Sequence, residues 1–334
     1  MAKQTSTTVS GEERIIDLFR PLARHPGAFG LIDDCAAITP APGTDLVLKA
    51  DAIVGGVHFF PDDPAGDVAR KALRVNLSDL AAKGAKPIGF LLTLALPSGV
   101  GMEWVANFAQ GLSDDVERYG CLLLGGDTVS TPGPVTVSVA VFGSVPTGTM
   151  VRRGGAKAGD RVLVSGTIGD AALGVRLCRD VALTKRWGLS TAQTQHLIGR
   201  YRLPQPHNAV AEALREFANG AMDVSDGLAG DLDKMCRASG VSATIHTERV
   251  PLSDAARSAL AADPSLLEPI LTGGDDYEIL AAVEDAKLAP LRHAAAAAGV
   301  TLTEIGSIAG GDGARVLGGD GKVLAFRQAS YSHF

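Results

Sequence analysis

The chain has 334 residues, 46% of them apolar, and a net charge of −6; that length suits roughly two domains of 100–200 residues, each with a real core. An acidic balance supplies no broad basic field, so nucleic acid and anionic membrane surfaces are not its expected partners. No stretch approaches the ~18 uninterrupted apolar residues of a membrane span, and the four cysteines contain no Cys-x-x-Cys pair, so neither a zinc site nor a disulfide framework is indicated. The polar segment Met1–Gly11 lacks an apolar signal core, and a reducing cytoplasm is the expected compartment.

The first ten residues are expected to be loose, up to a capping box, Ser10-x-x-Glu13, that opens a helix with Ile15, Ile16, Leu18 and Phe19 facing inward. Asp45–Val54 reads as a strand delivering Asp51 near its end, followed by Gly55-Gly56 and His58. Val68–Ala82 has helical periodicity and stops at Gly84; Asn76 and Asp79, three apart, put a polar pair on an otherwise apolar helix. Phe90–Leu96 is a nearly continuous apolar run ending at Pro97, a buried strand. Glu103–Tyr119 is the next helix, and Cys121–Leu124 a short strand ending in Gly125-Gly126-Asp127. Val135–Val145 completes a strand-rich half, and Pro146-Thr147-Gly148 is the linker candidate.

The second half restarts with a strand at Arg161–Ser165, the turn Gly166–Gly169 and a helix from Asp170. Helices around Asn208–Phe217 and Leu228–Ala238 flank a loop, Asp223–Gly227. Further strands are expected at Ala243–His246, Glu278–Val283 and Gly306–Ile308, and a helix at Leu288–Ala298. Strands and helices mix in both halves, giving an α+β or mixed α/β protein of two domains, 10–146 and 147–334.

The chemistry lies in six aspartate-bearing segments set against apolar or glycine-rich sequence: Asp33-Asp34, Asp51, Asp79, Asp127, Asp223 with Asp226, and Asp275-Asp276. Each glycine-aspartate segment, taken singly, is also an ordinary turn. Together they point to a divalent cation, because carboxylates withdrawn from water need a cation or a partner. Oxygen donors suit Mg²⁺ or Ca²⁺, and Mg²⁺ commonly binds a few carboxylates together with phosphates. No Gly-x-x-x-x-Gly-Lys-Ser/Thr loop is present, which argues against a Walker-type kinase. Gly166–Gly169 offers backbone N–H groups to an anion but lacks the dinucleotide fingerprint. His58, after Gly-Gly-Val, is either a packed histidine or a site residue.

At these residues the chain resembles the thiamine-monophosphate kinase family, within the superfamily of aminoimidazole ribonucleotide synthetase, selenophosphate synthetase and a hydrogenase maturation factor. The segments that carry the resemblance run nearly end to end. They are Asp51–Phe59, Lys71–Ala82, Gly125–Thr128, Arg153 with Gly155–Lys157, Met222–Leu228, Gly273–Glu278 and Tyr331–Phe334. The resemblance implies a two-domain aminoimidazole ribonucleotide synthetase-like fold, with an N-terminal metal- and ATP-binding domain that pairs sheets in a homodimer. It implies ATP-dependent phosphorylation of thiamine monophosphate with several Mg²⁺ ions. Asp34, Asp51, Asp79, Asp127, Asp223 and Asp226 match metal ligands; Gly126, Asp127, Arg153 and Ser225 match the ATP site; His58, Asp275 and Tyr331 match thiamine contacts. No covalent nucleophile is implied.

The chain departs from that pattern at Ile32, Lys49 and Ala50, where the family usually has Gly, Ser or Thr, and Thr, and at Asp275, where Glu is common. Lys49 puts a positive charge where a metal is expected. The alternatives are an enzyme of the same superfamily with another phosphorylated acceptor, and a catalytically weakened nucleotide- or thiamine-phosphate-binding protein.

Overall fold

The computed structural model describes residues 11–331; Ser10 of the expected capping box, the residues before it, and Ser332, His333 and Phe334 lie outside the described residues. The strands, in chain order, are β1 (Thr44–Val54), β2 (Lys86–Leu96), β3 (Leu122–Ser130), β4 (Thr136–Pro146), β5 (Arg161–Ser165), β6 (Ala218–Val224), β7 (Ser242–His246), β8 (Glu278–Val283), β9 (Leu302–Ala309) and β10 (Gly313–Leu317). They form a four-stranded sheet, β1-β4-β2-β3, and a six-stranded sheet, β10-β7-β9-β5-β8-β6.

Two compact units result. Among the described residues the first comprises 11–41, Leu48–Asn76 and Pro87–Phe142; the second comprises Pro42–Val47, Leu77–Lys86 and 143–331. Neither is one continuous stretch, because the first strand and the helix Ala65–Ala82 are each shared between them.

In the first unit, β4 alternates strictly, burying Val137, Val139 and Val141 on one face, as a period of two dictates for a sheet with one covered side. The helix Met102–Tyr119 turns Val105, Phe108, Leu112 and Val116 inward at helical spacing and ends at Gly120 in the left-handed region. Phe108 stacks on Trp104 and meets the edge of Phe19 from the helix Gly11–Phe19. Arg74 and Asp115, both buried, form a two-point ion pair at 2.7 and 2.8 Å. Such a pair satisfies itself, whereas either partner alone would be a stranded charge.

β3 is longer than the sequence suggests. The segment Gly125-Gly126-Asp127 does not end it; β3 continues to Ser130 in parallel register with β2, with Asp127 opposite Thr93. Gly126 is required there because a Cβ would lie 1.9 Å from the Leu92 carbonyl oxygen. β2 supplies the ladder that a propensity reading of two glycines does not see.

In the second unit the sheet is buried on both faces. Val162, Val164, Met222, Val224, Leu280 and Ala282 enter one core; Leu163, Ala221, Ile279, Ala281 and Val283 enter the other. The helices Asp170–Arg179, Thr191–Arg202 and Leu228–Ser239 cover the first face, and Leu288–Ala297 contributes Leu291 and Ala295 to the second. Double burial removes alternation, and so Ala218–Val224 did not read as a strand. The expected linker is an ordered turn: Thr147 N–H donates to Gly43 O and Gly148 N–H to Asp45 Oδ2, both within this unit.

Candidate functional site

In the second unit β6 runs directly into Ser225-Asp226-Gly227 and the helix Leu228–Ser239. Asp223, near the strand end, is only 5% exposed. The turn is held by a residue the sequence reading passed over, Asp231, whose side chain is fully buried in the first turn of that helix. Its Oδ2 accepts the N–H groups of Ser225 (3.0 Å) and Asp226 (2.9 Å), and its Oδ1 accepts Lys234 Nζ at 2.8 Å. The sequence signal was available: Asp231 falls on the buried stripe of Leu228 and Met235, where a carboxylate needs dedicated partners. Lys234 Nζ also reaches Asp226 Oδ2 at 2.5 Å. Burial works to lower the Lys234 pKa, but the bonds to Asp226 and Asp231 outweigh it and hold the ammonium above its ordinary value.

The segment Gly273–Tyr277 packs backbone to backbone on this turn. Asp275 N–H donates to Ser225 O (2.9 Å) and Tyr277 N–H to Val224 O (2.8 Å). A Cβ on Gly274 would stand 2.1 Å from the Ser225 carbonyl oxygen. Asp275 and Tyr277 both have positive φ, 71° and 52°, a conformation costing about 1–2 kcal/mol per non-glycine residue that persists only when its surroundings impose it. Tyr331 joins the same place, its N–H donating to Asp226 O at 2.9 Å while its side chain is 49% exposed. Asp79 is half-buried in the helix Ala65–Ala82, and its neighbour Ser78 donates to Tyr277 O at 3.4 Å. Hydrogen bonds therefore connect the segments bearing Asp79, Ser225, Asp226, Asp275 and Tyr331. Arg153 is exposed, and its carbonyl accepts Ser239 Oγ at the opposite end of the helix from the acidic turn.

In the first unit, Asp51 lies in β1 with its N–H on Asn76 Oδ1 at 2.9 Å. Asn76 is fully buried and donates from Nδ2 to Ala72 O, so the polar pair expected on that helix is split: Asn76 anchors β1. Lys49, two residues from Asp51 on the same strand face, places Nζ 3.1 Å from Asp51 Oδ1. His58 Nδ1 accepts the Val54 N–H at 3.0 Å, which leaves its proton on Nε2 in the neutral ring, and its carbonyl accepts Lys71 Nζ. Asp127 and Gly126 are exposed on β3, and Asp34 is exposed in the bend after Leu31.

The turn Gly166–Gly169 carries an anion of the protein's own. Gly169 N–H donates to Asp276 Oδ2 (2.8 Å) and Ala171 N–H to Asp276 Oδ1 (3.3 Å), so a buried carboxylate takes the helix N-terminus that a phosphate would use. Burial pushes the Asp276 carboxyl well above its ordinary pKa. Next to it, Glu278 accepts Arg200 Nη2 and His207 Nε2, both at 2.6 Å, and a short bond from Ser165 Oγ. Asp170, fully buried, accepts Thr167 Oγ1, Ser253 Oγ and His196 Nε2.

A hard divalent cation fits the chemistry of these donors, which are carboxylate oxygens with no thiol among them. Among the described residues no three His, Cys, Asp or Glu side chains are gathered to hold a metal. Mg²⁺ does not demand such a cage, since it takes one or two carboxylates and completes its shell with water and substrate phosphates.

Models of the AIR synthase related protein family match the chain, the N-terminal domain at residues 32–145 and the C-terminal domain at 157–318. The chain is 44% identical over 305 residues to the thiamine-monophosphate kinase of Caulobacter vibrioides, covering 90% of this chain and 84% of that protein. The solved thiamine-monophosphate kinase of Stenotrophomonas maltophilia K279a superposes with a TM-score of 0.83 at 37% identity, covering 93% of this chain and 97% of that one. The structure of AaThiL complexed with AMPPCP and TMP superposes with a TM-score of 0.76 at 30% identity, over 92% and 97% of the two chains. No described helix is long and apolar enough to cross a membrane.

The His196–Asp170 pair has a signed consequence. The hydrogen bond that His196 donates to Asp170 outweighs burial and raises the His196 pKa, so its stabilisation is complete below about pH 6.5 and is lost as pH rises through the raised value. The thermal midpoint of wild type minus that of His196→Gln should be largest near pH 6 and shrink toward pH 9. A difference independent of pH would contradict this reading.

Proposed function

The chain belongs to the thiamine-monophosphate kinase family of AIR synthase related proteins, and we propose on that premise which of its residues carry the reaction. The chain is an ATP-dependent kinase that phosphorylates thiamine monophosphate to thiamine diphosphate. The observation that carries this is the 44% identity over 90% of the chain to a thiamine-monophosphate kinase.

Asp34, Asp51, Asp79, Asp127, Asp223 and Asp226 are the proposed metal ligands. Gly126, Asp127, Arg153 and Ser225 are assigned to ATP, and His58, Asp275 and Tyr331 to the thiamine substrate. The hydrogen bonds linking the Ser225, Asp226, Asp275 and Tyr331 segments support the second-unit part of this assignment. Bound Mg²⁺ would supply neutralising charge between the phosphates. The chain's own residues need only position and screen, because phosphoryl transfer passes through a loose transition state with little covalent chemistry for protein groups. Exposed Tyr331 offers a ring face to a cationic thiazolium. Transfer is proposed to be direct, with no covalent nucleophile among the assigned residues.

The stretch 10–146 is proposed as the dimerising metal- and ATP-binding domain and 147–334 as its C-terminal partner domain, in a cytoplasmic homodimer. The reading is tested by coupled ADP release with thiamine monophosphate against other phosphorylated metabolites. Preference for another acceptor would move the chain to a different activity of the superfamily.

Asp79→Asn and Asp127→Asn should each abolish transfer while leaving the circular-dichroism spectrum unchanged, since each removes one charge proposed to hold Mg²⁺ against phosphate. Turnover near wild type in both at saturating Mg²⁺ would contradict the assignment.

The Lys49–Asp51 contact turns a departure from the family into a second test. If the lost hydroxyls and added ammonium weaken a metal site, Lys49→Ser with Ala50→Thr should lower the Mg²⁺ concentration for half-maximal activity. Reduced activity at every Mg²⁺ concentration would instead mark Lys49 as a phosphate contact. Superimposable titrations would place it outside the metal shell.

A further inference from the structure

Lys234 has no role in the assignments above, yet it is bonded to one of the proposed metal ligands. Its Nζ lies 2.5 Å from Asp226 Oδ2 and 2.8 Å from Asp231 Oδ1. The three side chains differ in access: Lys234 is 28% exposed, Asp226 39% and Asp231 0%. Asp231 is committed to the turn through the Ser225 and Asp226 N–H groups, whereas Asp226 is partly open to solvent with Lys234 on its Oδ2.

An ammonium on a carboxylate oxygen occupies one of its two lone pairs and offsets the charge that would attract a divalent cation. The two cations also repel each other, so each weakens the other's hold on the Asp226 carboxylate. Lys234 is suited to being displaced: its charge sits on a flexible four-carbon stem with three rotatable donors, and Asp231 Oδ1 remains as a second acceptor. Displacement therefore costs the Asp226 bond without stranding a buried ammonium. The Lys49–Asp51 pair has the same form in the first unit.

We propose that Lys234 is an internal counter-cation that competes with divalent metal for Asp226 and weakens binding of free metal to this turn. The protein thereby favours metal that arrives with the negative charge of a nucleotide. The proposal rests on the reading of Asp226 as a metal ligand.

The test is calorimetric titration of the full chain with Mn²⁺ as the probe, without nucleotide, comparing wild type with Lys234→Met, Lys234→Arg, Asp226→Asn and Lys234→Met/Asp226→Asn. Lys234→Gln serves as the uncharged variant should Lys234→Met not fold. Loss of the ammonium should tighten Mn²⁺ binding about 1.5- to fivefold, the range expected when a partly exposed ion pair no longer competes. Lys234→Arg should bind like wild type, and Asp226→Asn should remove the gain. If Asp226→Asn weakens wild-type binding but the uncharged variants bind no tighter, the role of Lys234 is refuted and Asp226 stands as a ligand. If Asp226→Asn leaves wild-type binding unchanged, both the ligand reading and this inference fall.

Discussion

A carboxylate taken out of water must be met by donors or a cation, and the second unit is organised around four that are. Asp231 is met by two backbone N–H groups and Lys234, Asp276 by two N–H groups at a helix start, Glu278 by Arg200, His207 and Ser165, and Asp170 by Thr167, Ser253 and His196. These bonds decide where the chain turns. Asp231 fixes the turn at Ser225 and Asp226, and Asp276 and Glu278 fix the segment that lies against it. Two non-glycine residues in that segment accept positive φ, a strain sustained only by such surroundings. Asp226 and Asp275, left partly accessible, sit on a frame set by acidic residues that are not themselves accessible.

Much of the secondary structure was legible in the sequence, and the gaps have physical causes. The strands at β1, β5 and β8 and the helix Met102–Tyr119 follow from apolar runs, periodicity and a terminal glycine. β6 was missed because Ala218–Val224 has few β-branched residues and is buried on both faces, leaving no alternation to detect. The helices Thr191–Arg202 and Asp254–Ala262 were passed over although each has a serine cap, Ser190 and Ser253, to announce it. The acidic segments stood out as a set. Asp231, Asp276 and Glu278 did not stand out as organisers, because their partners lie elsewhere in the chain or are backbone groups that no motif names. The Gly166–Gly169 turn shows the converse: an anion site was readable there, but not that the protein fills it with Asp276.

Membership of a kinase family and the chain's own departures from it belong to one account. Phosphoryl transfer asks the protein for placed charge more than for a nucleophile. Lys49, a departure from the family, lies against Asp51, and Lys234 lies against Asp226, so each places an ammonium on a carboxylate proposed to hold metal. On the proposed assignment such contacts would tune metal dependence and leave the reaction type intact.

The most direct test of the central claim follows the phosphorus. With ATP labelled at the γ-phosphate, thiamine monophosphate and Mg²⁺, the account predicts label in the terminal phosphate of thiamine diphosphate, one ADP for each product, and no labelled protein. ADP release without thiamine diphosphate, or label that reaches the product only after residing on the protein, would contradict it.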